Sequence, residues 1–315
     1  MLFGCAYTAP SMFLVCPFLP TSALRIFLLN LNKNIINTYL RRVEMRKAIL
    51  VITMSAGLCI PVLAGTAGNA LYFDGGDYAH APYISTYNLP VFTVEAWVKP
   101  VSTGGSIVSR GEDFTNDHSA LNLGFNPAGD PWGEGVGMWY ENNSNIDYAY
   151  ASGQLLAANV WAHIAATRSS DGKVSIYVNG ALSKQWTSTG IPASNCLQEL
   201  DFGAFWNDSG NPYLSFYTGV IDEVRLWNVA RMPTEMAQYY NKPVNPAEAG
   251  LIGYWNFDEG AGVIAHDLTG LNNAALGLDG TDVPTWIVSS APIIPEPATI
   301  ALLGIGAVLL RRSRR

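Results

Sequence analysis

The sequence predicts an all-β protein whose centre, residues 65–288, is a two-sheet antiparallel sandwich of the jelly-roll kind. Three observations predict it. Short runs alternate in character, as in Phe92-Thr93-Val94-Glu95-Ala96-Trp97-Val98, which puts Phe92, Val94, Ala96 and Val98 on one face and Thr93, Glu95 and Trp97 on the other. Asp171-Gly172 and Asn179-Gly180 stand at the ends of such runs, and tight hairpin turns select these pairs because they need positive φ. No 3.6-residue apolar period is sustained; one short helix is expected near 233–240, with Pro233 in its first turn. The strands expected in chain order include 92–98, 161–167, 173–178 and 220–227, a spacing suited to a sandwich.

Charge separates this centre from the two ends. The whole chain has 18 Lys+Arg and 25 Asp+Glu, a net of −7, but residues 65–290 hold 8 basic and 23 acidic side chains, a net of −15. The other ten basic residues lie in the ends. So acidic a centre argues against nucleic acid as a partner, since phosphate binding needs clustered Lys and Arg. From Met45 the chain runs through Arg46-Lys47, an apolar stretch from Ala48 to Leu63, and small residues at Ala64-Gly65-Thr66-Ala67. That is the order of a secretion signal, and the apolar stretch is short for a span of about 20 residues. Residues 45–64 are therefore expected to be a cleavable signal peptide; residues 1–44 read as a start-site extension or a long atypical leader. Cleavage would remove Cys5, Cys16 and Cys59 and leave Cys196 as a lone, buried thiol, so the fold must rest on its core.

At the other end a linker, 289–294, leads to Pro295-Glu296-Pro297, an apolar run from Ala298 to Leu310, and Arg311-Arg312-Ser313-Arg314-Arg315. A proline break, a short hydrophobic helix and a basic stop suit transient membrane anchoring. This tripartite tail, 295–315, resembles the PEP-CTERM sorting signal of Gram-negative bacteria. The resemblance implies recognition by an exosortase through Pro295, Glu296 and Pro297, membrane anchoring by the tail helix before sorting, and then a place at the cell surface or in its matrix. An ordinary tail anchor is the alternative.

Five segments of the centre together resemble the laminin-G-like, or concanavalin A-like, jelly-roll family. They are 70–78, 92–98, Trp161-Ala162-His163-Ile164-Ala165, Val174-Ser175-Ile176-Tyr177-Val178-Asn179-Gly180 and Ile221-Asp222-Glu223-Val224-Arg225-Leu226-Trp227. The resemblance implies a recognition or adhesion domain for an extracellular glycan or matrix component, and a structural calcium held by Asp74 and Asp222. The alternative is that Asp74 caps its own turn and Asp222 is a solvated strand residue. Residues 249–290 look like the opening of a second such unit with nothing behind it; about 40 residues cannot bury a core of their own, so they are expected to complete the same sandwich.

Glycoside hydrolysis needs two carboxylates about 5–5.5 Å apart for retention; the glucanases that the family resemblance brings in supply them from one strand as acids at alternate positions, and a pair assembled from separate strands is the alternative. No strand is read with that spacing: Glu95 is flanked by Thr93 and Trp97, Asp222 and Glu223 are adjacent and so face opposite sides, and Asp113 and Asp117 lie in a loop beside His118. The four histidines show no zinc-ligand spacing, and His163, between apolar neighbours, is expected to be structural. The candidate ligand surface is aromatic: Trp132, Trp139, Tyr140, Trp206 and Tyr213 stand in polar, Gly- and Asn-rich stretches, suited to the C–H faces and hydroxyl edges of sugars, whereas Trp97 and Trp227 belong to the framework. The expectation is an exported, non-catalytic carbohydrate- or matrix-binding protein; a structural surface or biofilm protein and a divergent polysaccharide-degrading enzyme are the alternatives.

Overall fold

A computed structural model of the chain describes residues 68–111, 120–131, 133–142, 147–206, 213–278 and 280–293. The signal segment, the sorting tail with Pro295, Glu296 and Pro297, and also Trp132, Asp113, Asp117 and His118 lie outside the described residues. Strands are numbered in chain order. One sheet, here sheet A, runs β10 (Ala181–Thr187), β9 (Lys173–Val178), β8 (Ala162–Arg168), β3 (Phe92–Pro100), β14 (Thr218–Trp227), β1 (Asn69–Asp74) and β18 (Thr285–Val288), with β15 (Leu251–Trp255) also pairing β14. Sheet B runs β16 (Ile264–Ala265), β17 (Ala274–Leu276), β2 (Ala79–Ala81), β11 (Leu200–Phe202), β4 (Gly105–Arg110), β5 (Leu121–Asn126), β6 (Gly135–Glu141) and β7 (Asp147–Ala151). A small ribbon of β12 (Phe205–Trp206) and β13 (Tyr213–Leu214) stands beside them, and the helix α1 spans Pro233–Tyr239. All pairings are antiparallel, so the expected two-sheet antiparallel jelly roll is the observed architecture.

Period-two alternation builds the core. From β3, Phe92, Val94, Ala96 and Val98 point between the sheets, meeting Leu123, Met138 and Phe202 of sheet B in one buried cluster. Each large apolar side chain buried this way contributes about 1.5–3 kcal/mol, and the fold needs it, since the described residues contain no disulfide. Cys196 is buried, its Sγ donating to the Gly111 carbonyl. The β9–β10 hairpin turns on Asn179 (φ 51°) and Gly180 (φ 74°), the two positive values a tight two-residue turn requires.

The centre of the opposite face of sheet A, on β3, β8 and β14, is buried as well, because residues 228–250 with α1 lie across it. Thr93 Oγ1 donates to Val229 O and accepts from Arg231 N, and Trp97 Nε1 donates to Tyr240 O. Beneath that cover Glu95 is fully buried yet ionised: His163 Nε2 lies 3.1 Å away, Arg231 Nη1 3.2 Å, and Trp227 Nε1 donates at 2.9 Å. Burial pushes Glu95 up, but the His163 hydrogen bond and the charges of Arg225 and Arg231 outweigh it and hold its pKa at about 2. Trp97 and Trp227 are both framework residues of this layer.

Residues 249–290 join both sheets: β15 and β18 pair in sheet A, β16 and β17 in sheet B. Asp267 organises this stretch, its carboxylate accepting from the amides of Tyr254, Thr269, Leu271 and Asn272 and from Thr269 Oγ1. Among the described residues no helix is long and apolar enough to cross a membrane.

Candidate functional site

Sheet B leaves the outer face of its strands β5 and β6 partly open, where the centre of sheet A is covered. Because Leu121, Leu123 and Phe125 of β5 and Val136, Met138 and Tyr140 of β6 point into the core, Asn122, Gly124, Asn126, Gly137 and Trp139 must point out. Register places Gly124 directly opposite Gly137, and Asn122 opposite Trp139. Two facing glycines make a floor without side chains, and a cleft of about 400 Å³ opens over it. One wall is Trp139 edge-on to Phe205, with ring centroids 5.2 Å apart. The other side carries Asn126 and Asp130; Ser106, Ser215, Ala149 and Tyr150 complete the lining. Asn126 Nδ2 is held by Gly133 O at 2.9 Å, which leaves Oδ1 over the floor, where a Cβ on Gly137 would come within 3.0 Å of it. The cleft therefore offers a half-buried aromatic face, amides, hydroxyls and one carboxylate.

The residues expected at a ligand surface are distributed unevenly around it. Trp139 lines the cleft. Tyr140 corrects the expectation: one position along the strand it faces inward, is fully buried, and hydrogen-bonds Ser188 Oγ and Gly190 O. Trp206 follows Phe205 and takes the other side of β12, packing against the Tyr78 and Ala204 cluster. The backbone of Tyr213 pairs with Trp206. Trp132 lies outside the described residues. Sequence reasoning passed over Asn122, Asn126, Asp130 and Phe205. The signal for the first two was present, since Leu121-Asn122-Leu123-Gly124-Phe125-Asn126 alternates perfectly.

Asp74 and Asp222 do not meet. Leu71 pairs Ile221 and Asp74 pairs Thr218, so Asp222 stands four residues, about 13 Å, from Asp74 along β1. A calcium ion holds its oxygens at about 2.3–2.6 Å, so these two carboxylates do not fit one ion. Asp74 Oδ1 accepts from Gly76 N and caps its turn. Asp222 is buried, accepting from Ser289 Oγ at 2.5 Å, and burial, then the neighbouring Glu223, pushes its pKa well up. Nor do Asp222 and Glu223 face opposite sides. A bulge between Asp222 and Arg225, with Glu223 at φ 54°, puts both between the inward-pointing Ile221 and Val224. No cluster of three or more His, Cys, Asp or Glu able to hold a metal occurs among the described residues.

One further correction concerns paired acids. Glu199, just before β11, and Asp201 within it are two positions apart on the outer face of sheet B, the spacing no strand was expected to have. Asp201 pairs His80 on one side and Ser109 on the other, and Glu199 Oε2 lies 3.9 Å from His80 Nε2. The two environments differ sharply: the Glu199 side chain is 44% exposed, whereas Asp201 is 1% exposed with neither carboxyl oxygen hydrogen-bonded. Burial, reinforced by Glu199 and opposed by Arg110, pushes the Asp201 pKa well above the usual carboxylate range.

Residues 294–315 match the PEP-CTERM protein-sorting motif, which marks the chain for export and sorting. Among solved structures, a candidate carbohydrate-binding protein of Bacteroides ovatus superposes with a TM-score of 0.55 at 23% identity, covering 72% of this chain and 61% of that one. The chain thus spans about three fifths of that protein's length, and the likeness is one of fold. Looser likenesses are the heptameric SAP-like pentraxin of Limulus polyphemus (TM-score 0.45, 13% identity, 67% of this chain and 95% of that one) and the Ruminococcus gnavus IT-sialidase CBM40 bound to α2,3-sialyllactose (0.43, 15%, 55% and 98%). No curated protein matches the sequence. Residues 73–237 match the profile of the concanavalin A-like lectin/glucanases superfamily, more than half of the chain, and the protein belongs to that superfamily.

Proposed function

We propose that this is an exported, non-catalytic carbohydrate-binding protein that holds an extracellular glycan in the cleft on the outer face of sheet B. The observation that carries the reading is the glycine-floored cleft walled by Trp139 and Phe205 and edged by Asn122, Asn126 and Asp130. A sugar ring presents a C–H face that stacks on an aromatic and a rim of hydroxyls that pair with amides and carboxylates. Superfamily membership and the fold shared with the Bacteroides ovatus protein support it. The sorting motif implies recognition of the tail by an exosortase; in this reading the tail anchors the protein in the membrane of a Gram-negative cell until it is sorted to the surface or matrix.

The test is binding of the purified full-length protein to a broad polysaccharide and glycan array, with calcium and again with a chelator. The two arms keep calcium in the proposal as a measured variable. Trp139→Ala is expected to lose about tenfold or more in affinity, and Tyr140→Phe to leave affinity unchanged. Binding that survives Trp139→Ala would place the site elsewhere. Absence of all glycan binding would favour a structural surface protein without a small ligand. Glu199 and Asp201 give the hydrolytic alternative its one specific foothold; release of reducing ends that stops in Glu199→Gln would establish it.

A further inference from the structure

The basic side chains of the sandwich are segregated. Of the eight in residues 65–290, seven lie on strands of sheet A or in the segment covering it, from Lys99 on β3 to Lys242 after α1. The eighth, Arg110 on β4, is fully buried, with its guanidinium donating to Tyr87 O, Asn88 Oδ1 and Cys196 O. Sheet B therefore presents no Lys or Arg on its outer face among the described residues, and segments 112–119, 143–146 and 207–212 contain none in the sequence.

What that face does carry forms a row perpendicular to the strands. Register aligns Ala275, His80, Asp201, Ser109, Asn122, Trp139 and Ala149, one per strand from β17 to β7. Its ionisable members are a carboxyl group and one imidazole, with the Asp130 carboxylate at the cleft and Glu199 beside His80. Asp201 and Ser109 are buried, so among the described residues a carboxylate, sulfate or phosphate on a ligand in the cleft would meet Asp130 and no Lys or Arg. Within the cleft the polar partners are mostly uncharged: Asn122, Asn126, Ser106 and Ser215, with Asp130 alone charged.

Resting on the glycan-binding reading, we infer that the ligand is a neutral glycan chain, free of carboxylate, sulfate and phosphate groups, held by stacking on Trp139 and by amide and hydroxyl hydrogen bonds. The lone carboxylate accepts from sugar hydroxyls, and an ion-pairing contribution is absent. Binding then varies little with salt, because screening acts only where charges attract or repel.

The experiment compares neutral glycans, an amine-bearing chain with its acetylated counterpart, and uronate and sulfated polysaccharides, using the full-length protein at about 50 and about 500 mM salt. The expected result is binding confined to neutral members, changing less than about twofold with salt. A uronate or sulfated ligand, a preference for the amine-bearing chain, or a salt-dependent loss of about tenfold would overturn the neutral class while leaving glycan binding intact. Binding to no member at all is the separate failure of the glycan reading, and it removes this inference too. The variant Ala149→Lys places an ammonium on the cleft, across from Trp139. It is expected to gain about tenfold for the acidic chains; no gain would show that this face does not set the charge class.

Discussion

Asp201 and Glu95 are both buried carboxyls, and their surroundings drive them in opposite directions. With both oxygens unpartnered, Asp201 has its pKa raised, so it is protonated in the fold at pH values where the unfolded chain is ionised. Its contribution is fully present below the unfolded value of about 3.8 and is lost as pH rises toward the folded value. Asp222 acts in the same direction. Asp201→Asn removes that dependence, so its melting temperature relative to wild type should rise from about pH 4 to about pH 8; a constant difference would mean that Asp201 is not held protonated. Glu95, held at about 2 by His163, Arg225 and Arg231, is stabilising above its unfolded value of about 4.5, and that stability is lost as pH falls toward 2. Glu95→Gln leaves buried Arg231 without its carboxylate, while Arg225 keeps Glu223, and should cost about 3 kcal/mol, measurable by chemical denaturation at neutral pH. None of this was legible in the sequence, where Glu95 is one acid on an alternating strand and Asp201 sits in a stretch without strand character. Trp139 and Tyr140 were legible only in part. Composition picked out both, but the alternation Val136, Met138, Tyr140 against Gly137, Trp139 is what separates a cleft wall from a core residue.

At the scale of elements, turns and strands with local signals were readable and elements made by distant contacts were not. Asn179-Gly180 announces its hairpin because the backbone conformation is encoded in those two residues. The short strands β11, β16 and β17 have two or three residues each, too few for any period to show, and exist only because neighbouring strands pair with them. The Asp267 loop is similar. Its sequence, His266-Asp267-Leu268-Thr269-Gly270, reads as a turn, yet the carboxylate also reaches back to the Tyr254 amide and so fixes β15 relative to β17. Asp267→Ala strips the charged acceptor from four amides and a hydroxyl, and the expected cost is on the order of 3 kcal/mol. Hydrogen exchange should locate the loss at residues 251–276, with β8 and β9 retaining protection near the global limit. Uniform loss across both sheets would show instead that this loop has no stability of its own to lose.

The whole molecule has two poles with different work. Asn69 pairs Val288, and Ser289 N donates to Gly68 O, so the first and last strands of the sandwich begin and end side by side. Whatever leads in before residue 68 and out after 289 attaches there. The other end of β1 lies five residues, about 17 Å, away, where Asp74 pairs Thr218 and the chain crosses to sheet B through residues 101–104. Ser106 N donates to Ser215 O at that pole, and both residues line the cleft. Ser102 and Thr103 border a neighbouring hollow that shares Phe125 and Asn126 with the cleft. A protein held by its C-terminal segment would therefore turn the proposed glycan cleft away from the point of attachment, the orientation that the glycan-binding proposal requires. Immobilisation through the C-terminal end should leave glycan affinity within about twofold of its solution value, whereas a bulky flexible insertion between Ser102 and Thr103 should lower it by about tenfold. The decisive comparison is between those two with thermal stability matched. If the C-terminal attachment blocks binding and the insertion does not, the glycan is held at the pole that carries the tail, and the sheet B cleft is the wrong site.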